Sequence, residues 1–292
     1  MLEAAAMRTV LLLGTLASAA FASQSLAQQS TFASGGKLSF AAPGASAWEK
    51  TKGGRLRLVT QPAGPDGTAR AALEIELEPG FKTYWWNPGA DGIPPQVSFF
   101  GSRNVKDTQL ALPPPHVFRE KSVSVGYKGA VRFPIRVTPE DAGQPYRLTA
   151  TGVVGFCAEI CVPVPFRLSA TSPKDAAAGE AVTAQRMLTP SEGLKIDAAR
   201  FEASTGKLEV QVTVPDTDVH LELLVANPDG KELPPAAQSV HQKGDRAIFS
   251  FDLTDEQFPA AGEHLTFTLV VARFGQDGRI GVEQTLAVAR VE

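Results

Sequence analysis

Two cysteines carry the chemistry open to this chain. They stand in Gly155-Phe156-Cys157-Ala158-Glu159-Ile160-Cys161-Val162-Pro163. A fully extended chain would hold residues i and i+4 roughly 13 Å apart, whereas a disulfide needs its Cα atoms within about 4.4–6.8 Å. The backbone must bend between the sulfurs, as a hairpin tip or as one helical turn. The strand-like runs on both sides favour the tip, and a tip is exposed, as attack by a partner thiolate requires. Closing so short a loop removes little unfolded-state entropy, about 2 kcal/mol against roughly 4–5 for a loop of ~100 residues. Stability is therefore a weak reason for the bridge and redox chemistry a better one; a purely structural bridge is the alternative. Glu159 lies inside the loop. It could accept a thiol proton, or raise a neighbouring thiol's pKa by repulsion, against the plainer reading of a solvated loop carboxylate.

Other residues could shield the sulfurs. Phe81-Lys82-Thr83-Tyr84-Trp85-Trp86-Asn87-Pro88-Gly89 is conspicuous in a chain with three tryptophans. It reads first as a core strand, and secondarily as a source of shielding from Tyr84 or Trp86. Phe118 and Phe156 are further shielding candidates, again with core packing as the plainer reading. The four histidines (His116, His220, His241, His264) show no metal-ligand spacing, so neither a metal site nor a cofactor is expected. Two thiolates alone could hold a soft ion such as Cu(I), which is the lesser alternative. No Ser/His/Asp arrangement, phosphate loop or paired-carboxylate motif stands out, which weakens hydrolase and nucleotide readings. A formal net charge of −3 argues against a nucleic-acid or anionic-membrane partner.

The elements that must position these residues read as strands. Arg70 to Glu78 is the clearest: Leu73, Ile75 and Leu77 alternate with Glu74, Glu76 and Glu78, predicting one buried and one wet face. Leu56-Arg57-Leu58, Gln96 to Phe100, Val131 to Val137 and Arg147 to Val153 have the same period, with Gly- and Pro-rich turns between. Pro173 and the Ala-rich run Lys174 to Leu188 predict a helix, ended by Thr189-Pro190 and Gly193. Alternation then returns at Leu208 to Val214, Leu221 to Val225, Ala247 to Phe251, Leu265 to Val271 and Thr285 to Val291. Asn227-Pro228-Asp229-Gly230 is a turn. The expected fold is all-β: two immunoglobulin-like sandwiches joined by a short helical linker.

The N-terminus reads as a secretory signal. Arg8 is a short positive region, Thr9 to Ala22 is almost without polarity, and Ser25-Leu26-Ala27 offers a cleavage site, with Ala20-Phe21-Ala22 as a second. Glu3 fits this poorly, so Met7 is an alternative start. The apolar run is shorter than the roughly 20 residues of a membrane span. The expected organisation is a signal peptide at 1–27, a first sandwich at 28–171, a linker at 172–194 and a second sandwich at 195–292. The expected location is the periplasm, as a soluble protein, where an oxidising milieu permits the disulfide.

The first sandwich resembles the N-terminal periplasmic domain of the DsbD family of thiol:disulfide interchange proteins, closest to its copper-sensitivity-suppressor, ScsB-like branch. The resemblance spans roughly residues 35–170. It is carried by Phe81 to Asn87, Gly89-Ala90-Asp91-Gly92-Ile93-Pro94-Pro95, Gly101-Ser102, Leu112-Pro113-Pro114-Pro115, Gly126-Tyr127, Pro134 and the cysteine segment, in that order. It implies an immunoglobulin-like fold with the cysteine pair on a hairpin. It also implies passage of reducing equivalents through mixed disulfides to periplasmic thioredoxin-like or disulfide isomerase-like partners, with the second cysteine, Cys161, forming the mixed disulfide. In the family a loop with an aromatic cap shields the pair, and Phe118 falls in the corresponding stretch. Two departures stand out. The best-known members separate their cysteines by five residues, not three, and members usually continue into a membrane electron-carrying domain and a thioredoxin-like domain. A separate membrane electron donor is therefore expected. The competing reading is a non-enzymatic binding or adaptor protein, copper-related in one version, with an inert bridge.

Overall fold

The computed structural model describes residues 43–90, 92–175, 187–188, 193–214, 219–226, 232–273 and 279–291. The expected signal peptide and most of the expected linker lie outside them. Among the described residues, eleven strands build the first sandwich: β1 Glu49–Thr51, β2 Gly54–Ala63, β3 Ala69–Leu77, β4 Lys82–Tyr84, β5 Gln96–Ser98, β6 Asp107–Leu110, β7 His116–Arg119, β8 Val123–Lys128, β9 Ala130–Thr138, β10 Arg147–Cys157 and β11 Cys161–Thr171. One sheet runs β1-β2-β3-β9-β6; the facing sheet runs β11-β10-β4-β8-β7, with β5 also on β10. Leu56, Leu58, Leu73, Ile75, Phe133 and Ile135 from the first sheet share a core with Trp85, Val125, Leu148, Val154, Phe156 and Phe166 from the second. Alternate residues of each strand point inward, so the period-2 pattern becomes this core. Pro163 and Pro165 suit β11 to the sheet edge, where missing N–H donors are tolerated.

The expected wet face of β3 is not wet at Glu74. Its neighbours across the sheet are Arg57 and Arg132, and both guanidinium groups bond its carboxylate, Arg57 at 2.7 Å. The two long side chains cover Glu74 almost completely. Alternation marked its face correctly but could not show that neighbouring arginines close over it.

Seven further strands follow a short one, β12 Met187–Leu188, among the described residues. They are β13 Lys195–Glu202, β14 Lys207–Thr213, β15 Val219–Ala226, β16 Ser239–Lys243, β17 Arg246–Asp252, β18 His264–Arg273 and β19 Arg279–Val291. They form one ladder, β15-β18-β19-β13-β14-β17-β16. β19 makes this a sandwich: residues 279–287 pair antiparallel with β18, and 288–291 pair parallel with β13. The strand crosses from one layer to the other, around a core of Leu208, Val210, Phe249, Phe251, Leu223 and Phe267. The expected helical linker meets a correction at its end. Met187–Leu188 is extended and pairs in parallel with Gly281 and Val282, where a sheet edge outweighs local helix propensity.

The two sandwiches share a buried face. Leu224 and Val270 sit on the outer side of β15 and β18, yet they are buried and belong to the apolar cluster of the first sandwich, with Ala236. Among the described residues no helix is long and apolar enough to cross a membrane.

Candidate functional site

β10 and β11 form a hairpin with Cys157 and Cys161 directly paired at its end. Their sulfurs are bonded, and the Cα atoms stand 4.0 Å apart. Ala158, Glu159 and Ile160 make the exposed tip, with Ile160 77% exposed. The sulfurs differ in access. Cys157 is 2% exposed, while Cys161 is half-buried. Phe156, next to Cys157, faces the other way and is buried in the core. Strand alternation therefore makes it a packing residue and removes it from the shielding set.

Register places the neighbours of the disulfide. Cys157 pairs with Lys82 of β4, and Lys82 pairs with Lys128 of β8. Paired residues share a face, so Cys157, Lys82 and Lys128 form one row across the outer face of the sheet. Tyr84 lies on that face too, and its hydroxyl is 3.4 Å from Cys161 Sγ. The ring is held from above by the loop after β4. A Cβ on Gly92 would stand 2.8 Å from Tyr84 Cδ1. A Cβ on Gly155 would stand 2.8 Å from Ile93 Cβ and 3.3 Å from Tyr84 Cδ2. Bare glycine at both positions leaves the slot that the ring fills. Gly92 thus brings the backbone after β4 close to the Tyr84 ring.

Phe118 comes to the same row from β7. Lys82 Nζ and Lys128 Nζ stand 4.8 and 4.6 Å from its ring centre, within cation–π range. Glu120 accepts bonds from both lysines, at 2.9 and 3.4 Å. The bond and charge of Lys82, then the bond from Lys128, hold its carboxyl below the ordinary carboxylate range. Phe118 pairs with Ser124, well along β8 from Lys128. Meeting both lysines requires the β7–β8 hairpin to curl over the outer face toward the disulfide row. The root of that hairpin is fixed by Tyr127, whose buried hydroxyl donates to the carbonyl of Pro113 at 2.6 Å; burial pushes this phenol well above its ordinary pKa. Leu112 to Pro115 and Gly126-Tyr127 therefore anchor the hairpin.

Tyr84 and Phe118 are thus both on the disulfide's face, Glu159 is exposed at the tip, and Phe156 is in the core. Trp86, partly exposed, instead lines a cleft of about 800 Å³ with Pro94, Pro95, Pro234 and Glu283; neither cysteine lines it. Sequence reasoning missed Lys82, Lys128 and Glu120. Nothing in their spacing marks them, because strand order alone makes them neighbours. Among the described residues no group of three or more His, Cys, Asp or Glu could hold a metal ion.

Comparison with known proteins agrees with this fold. Residues 57–173 match the family model for the N-terminal domain of thiol:disulfide interchange protein DsbD, and the resemblance carried by the motif order holds there. No curated protein matches the sequence. Among solved structures, the N-terminal periplasmic domain of ScsB from Proteus mirabilis shares 22% identity, covering 84% of this chain and 99% of that one, with a TM-score of 0.63. That likeness shows the fold, second sandwich included. A tandem of titin domains I9–I11 shares 10% identity over 86% of this chain and 89% of its own, at a TM-score of 0.19, too low to carry an argument.

Proposed function

We propose that this protein is an exported thiol:disulfide relay that passes electrons to periplasmic partners through Cys157 and Cys161. The observation that carries the reading is the inequality of the two sulfurs: one buried, the other half-exposed beside a phenol hydroxyl, at the end of a hairpin in a domain that matches the DsbD N-terminal family. In the reduced protein the Cys161 thiolate attacks a partner disulfide. A bond forms between Cys161 Sγ and one partner sulfur, and the other partner sulfur leaves as thiolate. The Cys157 thiolate then attacks Cys161 Sγ, closes the 157–161 bond and releases the partner as a dithiol. Two electrons have moved to the partner. A dithiol donor restores the Cys157/Cys161 dithiol by the same exchange in reverse, and no cofactor takes part.

The surroundings serve that chemistry. Tyr84 can donate to a thiolate at Cys161 and so favour it. Phe118, parked on the lysine row, limits contact with other thiols. Thioredoxin-like or isomerase-like proteins are the natural partners, because they carry the disulfide this exchange consumes. The test is a trap. Cys157→Ala should strand a partner on Cys161 as a reducible adduct on non-reducing gels, and Cys161→Ala should strand far less. The reverse pattern would exchange the two roles. Absence of adducts with both variants, together with a potential below about −300 mV, would establish an inert structural bridge in an adaptor protein.

A further inference from the structure

The second sandwich bonds the first at two segments, the one that meets the Lys82–Lys128 row and the one that follows Tyr84. Arg119 stands between Phe118 and Glu120. Those two residues meet the lysine row, and Arg119 instead reaches Glu222 of β15. Its Nη1 and Nη2 donate to Oε1 and Oε2 of Glu222 at 2.8 and 2.9 Å. Glu222 is buried and has His220 Nε2 at 3.0 Å from Oε1. One residue before β7, the carbonyl of Pro115 accepts a bond from Arg279 of β19 at 2.9 Å. At the other segment, Asn87 Nδ2 donates to the carbonyls of Val225 and Leu233 at 2.9 and 3.0 Å. Asn87 lies in the loop after β4.

We infer that the second sandwich is a positioning module for the redox site, holding β7 through the Arg119–Glu222 pair so that Phe118 and Glu120 stay beside the disulfide. The topology explains why a hold is needed. β7 is the last strand of its sheet, paired on one side only. A short edge hairpin has few bonds against bending away. The second sandwich supplies the restraint β7 lacks. A bidentate guanidinium–carboxylate pair suits that role, because it fixes orientation as well as distance, and releasing it would leave the buried carboxylate with His220 alone as its bonded partner. Burial works to raise Glu222's pKa, but the bonds and charge of Arg119, then those of His220, outweigh it and keep the carboxyl below its ordinary value. Arg119 touches neither sulfur, so it is a positioning residue and not a catalytic one.

The purpose of this hold rests on the relay reading, but the hold itself is measured without a protein partner. The full chain is reduced with dithiothreitol, freed of excess reagent, and alkylated with iodoacetamide under native conditions at fixed pH. Rates are compared for the unaltered chain, Arg119→Ala, Arg119→Lys and Glu222→Gln. Phe249→Leu, in the core of the second sandwich, controls for loss of stability alone, and melting temperatures are recorded for all. We expect Arg119→Ala and Glu222→Gln to speed alkylation on the order of tenfold, within the usual range of coupling between sites. Arg119→Lys, which keeps the charge but not the fork, should fall between, and Phe249→Leu should not change the rate. Rates for Arg119→Ala and Glu222→Gln equal to that of the unaltered chain would overturn the inference and leave the pair as an ordinary interface contact. So would an equal acceleration in Phe249→Leu. Failure of the mixed-disulfide trap, by contrast, would remove the relay and leave this result standing.

Discussion

Tyr84→Phe removes one oxygen at the point where the structure is most specific. The hydroxyl lies 3.4 Å from Cys161 Sγ, and the ring fits a slot bounded by Gly92 and Gly155. Phenylalanine fills the same slot, so packing should survive. The lost interaction matters mainly after reduction, when Cys161 can carry charge. A hydrogen bond to a charged group contributes roughly 1.5–3 kcal/mol; the long contact and half-exposed sulfur argue for the low end, about 1.5 kcal/mol, which is about one pKa unit. The Cys161 thiol should therefore rise by about one unit in Tyr84→Phe. Thiolate then falls by about tenfold at a pH below the pKa, while each thiolate becomes about threefold more nucleophilic. The net loss in attack rate is roughly three- to fourfold. The measurement is the pH dependence of iodoacetamide alkylation in a Cys157→Ala background, where Cys161 is the single thiol, with and without Tyr84→Phe. An unchanged or lowered pKa would show that Tyr84 only covers the sulfur and does not stabilise its charge.

Three other outcomes follow from named contacts. Gly155→Ala places a Cβ 2.8 Å from Ile93 Cβ and 3.3 Å from Tyr84 Cδ2; overpacking should cost about 1–3 kcal/mol in denaturant unfolding and push Tyr84 off Cys161, raising the thiol pKa as Tyr84→Phe does. Glu74→Gln removes the carboxylate shared by Arg57 and Arg132 and should lower stability by about 2 kcal/mol, while alkylation of the reduced pair stays unchanged. Glu222 is held below its ordinary value of 4.5, so its bond to Arg119 contributes fully above that pH and is lost as pH falls through the lower folded value. Thermal melts across this acid range should therefore steepen for the unaltered chain and flatten for Glu222→Gln; equal slopes would remove Glu222 from the acid response.

Much of the fold was legible because strand burial is a local, period-2 property. Leu73 and Ile75 in β3, Val131 to Val137 in β9 and Leu208 to Val212 in β14 announce their inner faces without reference to any other residue. The cysteine hairpin was legible for a related reason: five residues between two β runs leave a bonded pair few ways to close. The family resemblance added what the residues alone did not, an expected exchange role for the pair and a cap near Phe118. Where local pattern met a neighbouring strand it misled. Glu74 reads as wet until Arg57 and Arg132 close over it, and Met187–Leu188 reads as helical until the edge of β19 recruits it.

The rest depended on which strands lie side by side. Tyr84 and Cys161 are 77 residues apart, and Arg119 and Glu222 are 103 apart. No periodicity links such pairs, because alternation fixes only the face a residue takes and never the strand beside it. The order β10-β4-β8-β7 makes Cys157, Lys82 and Lys128 a row and brings Phe118 and Glu120 to it. The sequence by itself thus determined the strands, their inner faces and a bend that carries two sulfurs. Tertiary structure decided which sulfur is buried, what stands beside the other and that Arg119 meets Glu222, since each is a contact between distant segments whose burial is established only when the sheets assemble.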